Sequence, residues 1–81
     1  METKRIIFND YVDGDEWVAT YHLGISEFDD LDESEPIQII FNAVNFDMAV
    51  RYAQQYLRKM QTEEETSNEW ASAEILSVEL H

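Results

Sequence analysis

Asn45-Phe46-Asp47-Met48-Ala49-Val50-Arg51-Tyr52-Ala53-Gln54-Gln55-Tyr56-Leu57-Arg58-Lys59-Met60 is the stretch on which the fold turns. Phe46, Ala49, Val50, Ala53, Leu57 and Met60 recur at helical spacing, which puts them on one face of an α-helix. The spacing predicts an apolar stripe over about four turns, roughly 24 Å long at 1.5 Å per residue, with Tyr52 and Tyr56 covering its edges. Asn45 suits the N-cap, because its side-chain oxygen accepts from an unpaired N–H of the first turn. Asp47 in the first turn and Arg58 and Lys59 in the last complement the helix dipole. This is the chain's one long helical pattern, so the remainder is strands and connections.

Working outward, Ile37-Gln38-Ile39-Ile40-Phe41-Asn42-Ala43 alternates with Ile37, Ile39, Phe41 and Ala43 on one face, and Pro36 suits a strand's first residue. On the far side of the helix, Thr62 to Glu69 reads as a solvated connection, and Trp70 to Leu80 returns to alternation, with Leu76, Val78 and Leu80 against Ile75, Ser77 and Glu79. Towards the N-terminus, Lys4 to Val12 and Glu16 to Leu23 are two further period-two stretches, joined by Asp13-Gly14. That dipeptide favours the positive backbone angles of a type I′ hairpin. With it as the turn, Phe8 faces Ala19, Ile6 faces Tyr21 and Asp10 faces Trp17. Ile6, Phe8, Trp17, Ala19, Tyr21 and Leu23 then share one apolar face.

The order β-β-β-α-β implies a two-layer α+β sandwich, a four-stranded, mainly antiparallel sheet with one helix across one face. Eighty-one residues make one domain, 1–81. A chain this short buries only about 60% of its unfolded surface, and with no cysteine a single core must suffice. The absence of cysteine and of a signal-like apolar run favours the cytoplasm, and no stretch has the roughly 18 apolar residues of a membrane span.

Eighteen acidic residues against five basic ones leave a net charge of −13, which repels nucleic acid and anionic membrane and attracts basic surfaces. The acid is unevenly placed. Glu27-Phe28-Asp29-Asp30-Leu31-Asp32-Glu33-Ser34-Glu35 carries six carboxylates in nine positions, and Glu63, Glu64, Glu65 and Glu69 form a second group. In the β-β-β-α-β order both connections lie at the same end of the sheet, so ten of the eighteen acids share a pole. Asp10, Asp13, Asp15 and Glu16 form a smaller group at the other end.

The spacing argues against metal. Read as a calcium loop starting at Asp30, the run has Glu35 where glycine is required and Phe41 where the bidentate glutamate belongs. A catalytic constellation is also missing: His22 falls on the outward face opposite Arg5, His81 is terminal, and Gly14 and Gly24 are too few for a phosphate loop. We therefore expect a non-enzymatic protein without cofactor or metal. Its face away from the helix carries Ile7, Tyr11, Val18, Ile40 and Ile75 among Asn9, Thr20, His22, Gln38 and Ser77. That mixed face is the basis of an alternative reading as a self-associating structural or regulatory module, for example a homodimer.

The leading expectation is a binding protein whose pole meets a basic surface, such as the nucleic-acid groove of an enzyme, with Glu27, Asp29, Asp30, Asp32, Glu33, Glu35, Glu63, Glu64, Glu65 and Glu69 supplying charge and Phe28 and Leu31 anchoring the contact. Carboxylates on a rigid scaffold stand in for phosphates, which duplex DNA carries about one per 1.7 Å of axis. In size, charge and lack of cysteine the chain resembles phage-encoded anti-defence inhibitors such as anti-CRISPR proteins, and likewise antitoxins and bacteriocin immunity proteins. The resemblance implies an inhibitor that acts by charge mimicry, and no residue role is carried over from it.

Overall fold

The computed structural model describes residues 2–8, 13–23 and 36–81. Four strands, β1 (Glu2–Arg5), β2 (Asp15–His22), β3 (Ile37–Ala43) and β4 (Glu74–Leu80), form one mixed sheet. Helices α1 (Phe46–Thr62) and α2 (Ser67–Trp70) lie between β3 and β4 in the chain. This is the expected α+β sandwich in the order β-β-β-α-β.

The strand order is β1-β3-β2-β4, which overturns the hairpin. β1 lies parallel to β3, with Lys4 opposite Ile39, and β2 pairs antiparallel with β3 from Asp15↔Ala43 to Tyr21↔Ile37. The most apolar strand thus takes the centre: Ile39, Phe41 and Ala43 are fully buried. The polar Glu2-Thr3-Lys4-Arg5 takes an edge, where charged side chains also discourage unwanted strand pairing. Local turn chemistry at Asp13-Gly14 permitted a hairpin, but the long ladder between β2 and β3 prevails. Gly14 nevertheless has the positive φ that its identity implied, +95°. A Cβ there would stand 2.5 Å from the Ala43 carbonyl oxygen, and the Asn42 side chain donates to the Gly14 oxygen at 3.1 Å.

The core face survives this rearrangement because side-chain alternation does not depend on which strand is the neighbour. Trp17, Ala19 and Tyr21 are buried beside Ile39, Phe41 and Ala43, with Ile6, Phe8, Leu23 and Ile37 packed against them. β3 and β4 are each antiparallel to β2 and so run in the same direction, as the crossover through α1 requires.

Asn45 caps α1, its side-chain oxygen accepting from Met48 N–H at 2.9 Å. The buried face of α1 is Ala49, Tyr52, Ala53 and Tyr56, while Phe46 is largely exposed. The tyrosines are therefore core, not edge. Small Ala49 and Ala53 let the helix approach the sheet, and the rings fill the space on either side. Tyr52 stacks on Phe8 at 4.7 Å and meets Phe41 edge-on at 6.1 Å, and the Tyr21 hydroxyl donates to the Ala53 carbonyl at 2.6 Å. Its burial pushes the Tyr21 phenol well above the ordinary tyrosine range.

The fourth strand begins at Glu74, not Trp70. Its register shifts between Thr20 and Tyr21, where Ser77 and Ile75 are the successive partners. The bulge skips Leu76, so Ile75 and Val78 both pack on the core while Leu76 is exposed. The plain alternation that set Ile75 on the open face and Leu76 inside is reversed there.

Candidate functional site

The connection from α1 to β4 is built, rather than merely solvated. At the end of α1, Glu63 N–H donates to the Lys59 oxygen at 3.1 Å, and Thr66 and Ser67 N–H both donate to the Glu63 oxygen, at 3.2 and 2.7 Å. The Thr66 hydroxyl reaches back to the Met60 oxygen at 2.6 Å, and the Thr62 hydroxyl to the Lys59 oxygen at 3.1 Å. The Thr66 hydroxyl thus fills a carbonyl of the last helical turn, and the Thr62 hydroxyl is a second donor to the Lys59 oxygen that Glu63 N–H already occupies. α2 follows, one turn long, and closes with Trp70 N–H on the Thr66 oxygen at 3.0 Å.

Trp70 is the anchor of this turn. It is 3% exposed, and its ring meets Tyr21 at 5.4 Å and Tyr56 at 5.6 Å, both edge-on. Gln61 donates from its side chain to the Trp70 oxygen at 3.1 Å, tying the end of α1 to the end of α2. With backbone and anchor fixed, Glu63, Glu64, Glu65 and Glu69 are all exposed to solvent.

The strand registers place these groups at the expected end. Tyr21 faces Ile37 on one side and Ile75 on the other, and His22 faces Glu74, so β2 ends, and β3 and β4 begin, beside the end of α1. Glu74 is exposed there too. It joins the glutamate group although the sequence reading places it inside a strand from Trp70 to Leu80. Glu27, Phe28, Asp29, Asp30, Leu31, Asp32, Glu33 and Glu35 lie outside the described residues. Leu23 and Pro36, which flank that run, are at this same end.

Cations border the group: Arg58 and Lys59 are exposed on the last turns of α1, and Lys4 lines a depression of about 150 Å³ with Tyr56, Thr66, Glu69 and Trp70. Sites that enclose small molecules start at roughly 300 Å³, so this hollow is a dent in a charged surface. Among the described residues no group of three or more histidine, cysteine or acidic side chains is placed to hold a metal ion. No described helix is long and apolar enough to cross a membrane.

On the sheet face away from α1, polar groups pair with one another. Arg5 reaches over β3 to form an ion pair with Glu16, and Gln38 donates to the Thr20 hydroxyl at 3.2 Å. The Arg5 guanidinium holds the Glu16 carboxyl below the usual carboxylate range, by hydrogen bonding first and charge second. His22 sits across from Glu74, not opposite Arg5. No family model, curated protein or solved structure matches the chain.

Proposed function

We propose that the chain is a non-enzymatic acidic binding protein that engages a basic surface of a partner protein through its glutamate-bearing end. The nucleic-acid groove of an enzyme is the surface that best suits such a display. The observation that carries this reading is the Trp70-anchored turn, which holds Glu63, Glu64, Glu65 and Glu69 in solvent on a hydrogen-bonded backbone. Flexible linkers also carry charge, but they must be ordered on binding, at a cost in conformational entropy. Carboxylates already in place avoid most of that cost. A net charge of −13 adds long-range steering, which speeds encounter with a cationic partner at low salt.

Acting as a phosphate substitute, the turn would compete with nucleic acid for the same groove, which defines an inhibitor. The cytoplasm is where such a partner is met. Self-association through the open sheet face is the weaker reading, since Arg5, Glu16, Gln38 and Thr20 already satisfy one another there.

The test is capture of partners from the source lysate with the full chain, followed by elution with duplex DNA. We expect a basic partner that duplex DNA displaces. It should be lost from the Glu63→Gln, Glu64→Gln, Glu65→Gln triple variant or, separately, from a chain with Asp29→Asn, Asp30→Asn, Asp32→Asn and Glu33→Gln. Retention of every partner by both neutralised chains would sink the charge reading.

A further inference from the structure

At the other end of the sheet, large apolar side chains stand open: Phe46 is 54% exposed, Val44 54% and Leu80 60%. Single exposed apolar residues are ordinary, but these are joined. Leu80 faces Trp17 across β2 and β4. The adjoining His81 N–H donates to the Glu16 oxygen at 2.9 Å, which makes Trp17 and Leu80 a non-hydrogen-bonded pair, the kind whose side chains lie closest. The Phe46 ring lies 5.9 Å from Trp17. Trp17 itself is locked by its indole N–H on the Ala43 oxygen at 3.1 Å, one residue before Val44. The result is a patch with a fixed aromatic floor and exposed apolar flanks.

Its surround is acidic. Asp15 lies two residues before Trp17, on the same face of β2, and Asp47 follows Phe46, both exposed; Glu79, opposite Val18, is on the other face of the sheet. The basic groups at this end are His81, which follows Leu80 and is bonded to the Glu16 backbone, Arg5, which is paired with Glu16, and Arg51, one turn along α1 from Asp47.

We infer that this end is a docking surface for a segment of another protein that presents a large apolar side chain flanked by lysine or arginine. The apolar residue covers Phe46, Trp17 and Leu80, and its basic neighbours meet Asp15 and Asp47. A second copy of this chain does not fit, because it would bring a charge of −13 against the same charge and set acid against acid. The inference is independent of the glutamate turn, which shares none of these residues.

The experiment is a titration of the ¹⁵N-labelled full chain, followed by NMR, with the tryptophan-free peptide Lys-Arg-Leu-Phe-Leu-Lys-Arg. Its control is a peptide with serines in place of the three apolar residues. Expected are shifts centred on Val44, Phe46, Leu80 and the Trp17 indole, with affinity lowered about tenfold or more in the Phe46→Ser, Leu80→Ser variant. Asp15→Asn with Asp47→Asn, which leaves the apolar patch intact, should weaken binding and flatten its salt dependence. Equal binding of the serine peptide, shifts centred on Glu63 to Glu65, or an unmoved Trp17 indole at millimolar peptide would each overturn the inference.

Discussion

Each end of the molecule closes over a tryptophan, yet the two display opposite things. Trp70 is sealed by Tyr21 and Tyr56 and carries glutamates above it. Trp17 is as firmly held, by Ala43, but Phe46 and Leu80 beside it remain more than half exposed. A buried indole therefore says little about what its neighbourhood presents. The difference lies in the next layer, where one end turns the chain through hydrogen-bonded polar residues and the other leaves apolar ones at the ends of α1 and β4.

The largest expected effect separates anchor from display. Trp70→Ala should lower stability by about 3–5 kcal/mol, a large part of the roughly 5–15 kcal/mol that holds a small domain together. Phe46→Ala, at a half-open position, should cost about 1 kcal/mol or less. Urea unfolding of the two variants checks this, and similar losses would erase the distinction between them.

A second comparison sets the two turns against each other. Gly14→Ala should cost about 2 kcal/mol, since φ is positive there and the added Cβ collides with Ala43 backbone. Glu64→Ala, on the open glutamate turn, should stay within about 0.5 kcal/mol. Thermal melts of both measure the gap; a tolerant Gly14 would mean that the Ala43 backbone yields.

The smallest effect is electrostatic. Because Arg5 lowers the folded-state pKa of Glu16, the pair stabilises at pH values above the unfolded carboxylate range, and that contribution is lost as pH falls through the lower, folded-state value. The wild-type melting temperature should exceed that of Glu16→Gln slightly at pH 7, and the difference should vanish once acid has protonated the folded-state carboxylate and shrink in high salt. A difference that ignored pH would assign Glu16 to packing instead.

What could be read in advance follows from the range of the interactions involved. Helix α1, its Asn45 cap and the faces of β2 and β3 are written in spacings of two to four residues, so periodicity found them. Strand order is not local: nothing in Asp13-Gly14 discloses that β3 will slip between β1 and β2. Helical spacing sets Tyr52 and Tyr56 at the edges of the apolar stripe, yet ring size and the small Ala49 and Ala53 decide their burial. Trp70 reads as part of β4 in the sequence because a single helical turn is too short to show a period. The glutamate turn emerged from topology alone, whereas the Phe46, Trp17 and Leu80 patch needed coordinates, since it joins three elements.

The bulge in β4 also bears on how copies of this chain meet. β4 is an outer strand of the described sheet, and Glu74-Ile75-Leu76-Ser77-Val78-Glu79-Leu80 is an apolar, proline-free run, the composition that invites edge-to-edge polymerisation. A bulge breaks the even ladder and bends the strand, so a second β4 laid alongside meets a mismatched row of donors and acceptors. Glu74 and Glu79 add repulsion at either end of that row. The irregularity that hid Ile75 from a simple alternation thus acts as a guard against fibre growth.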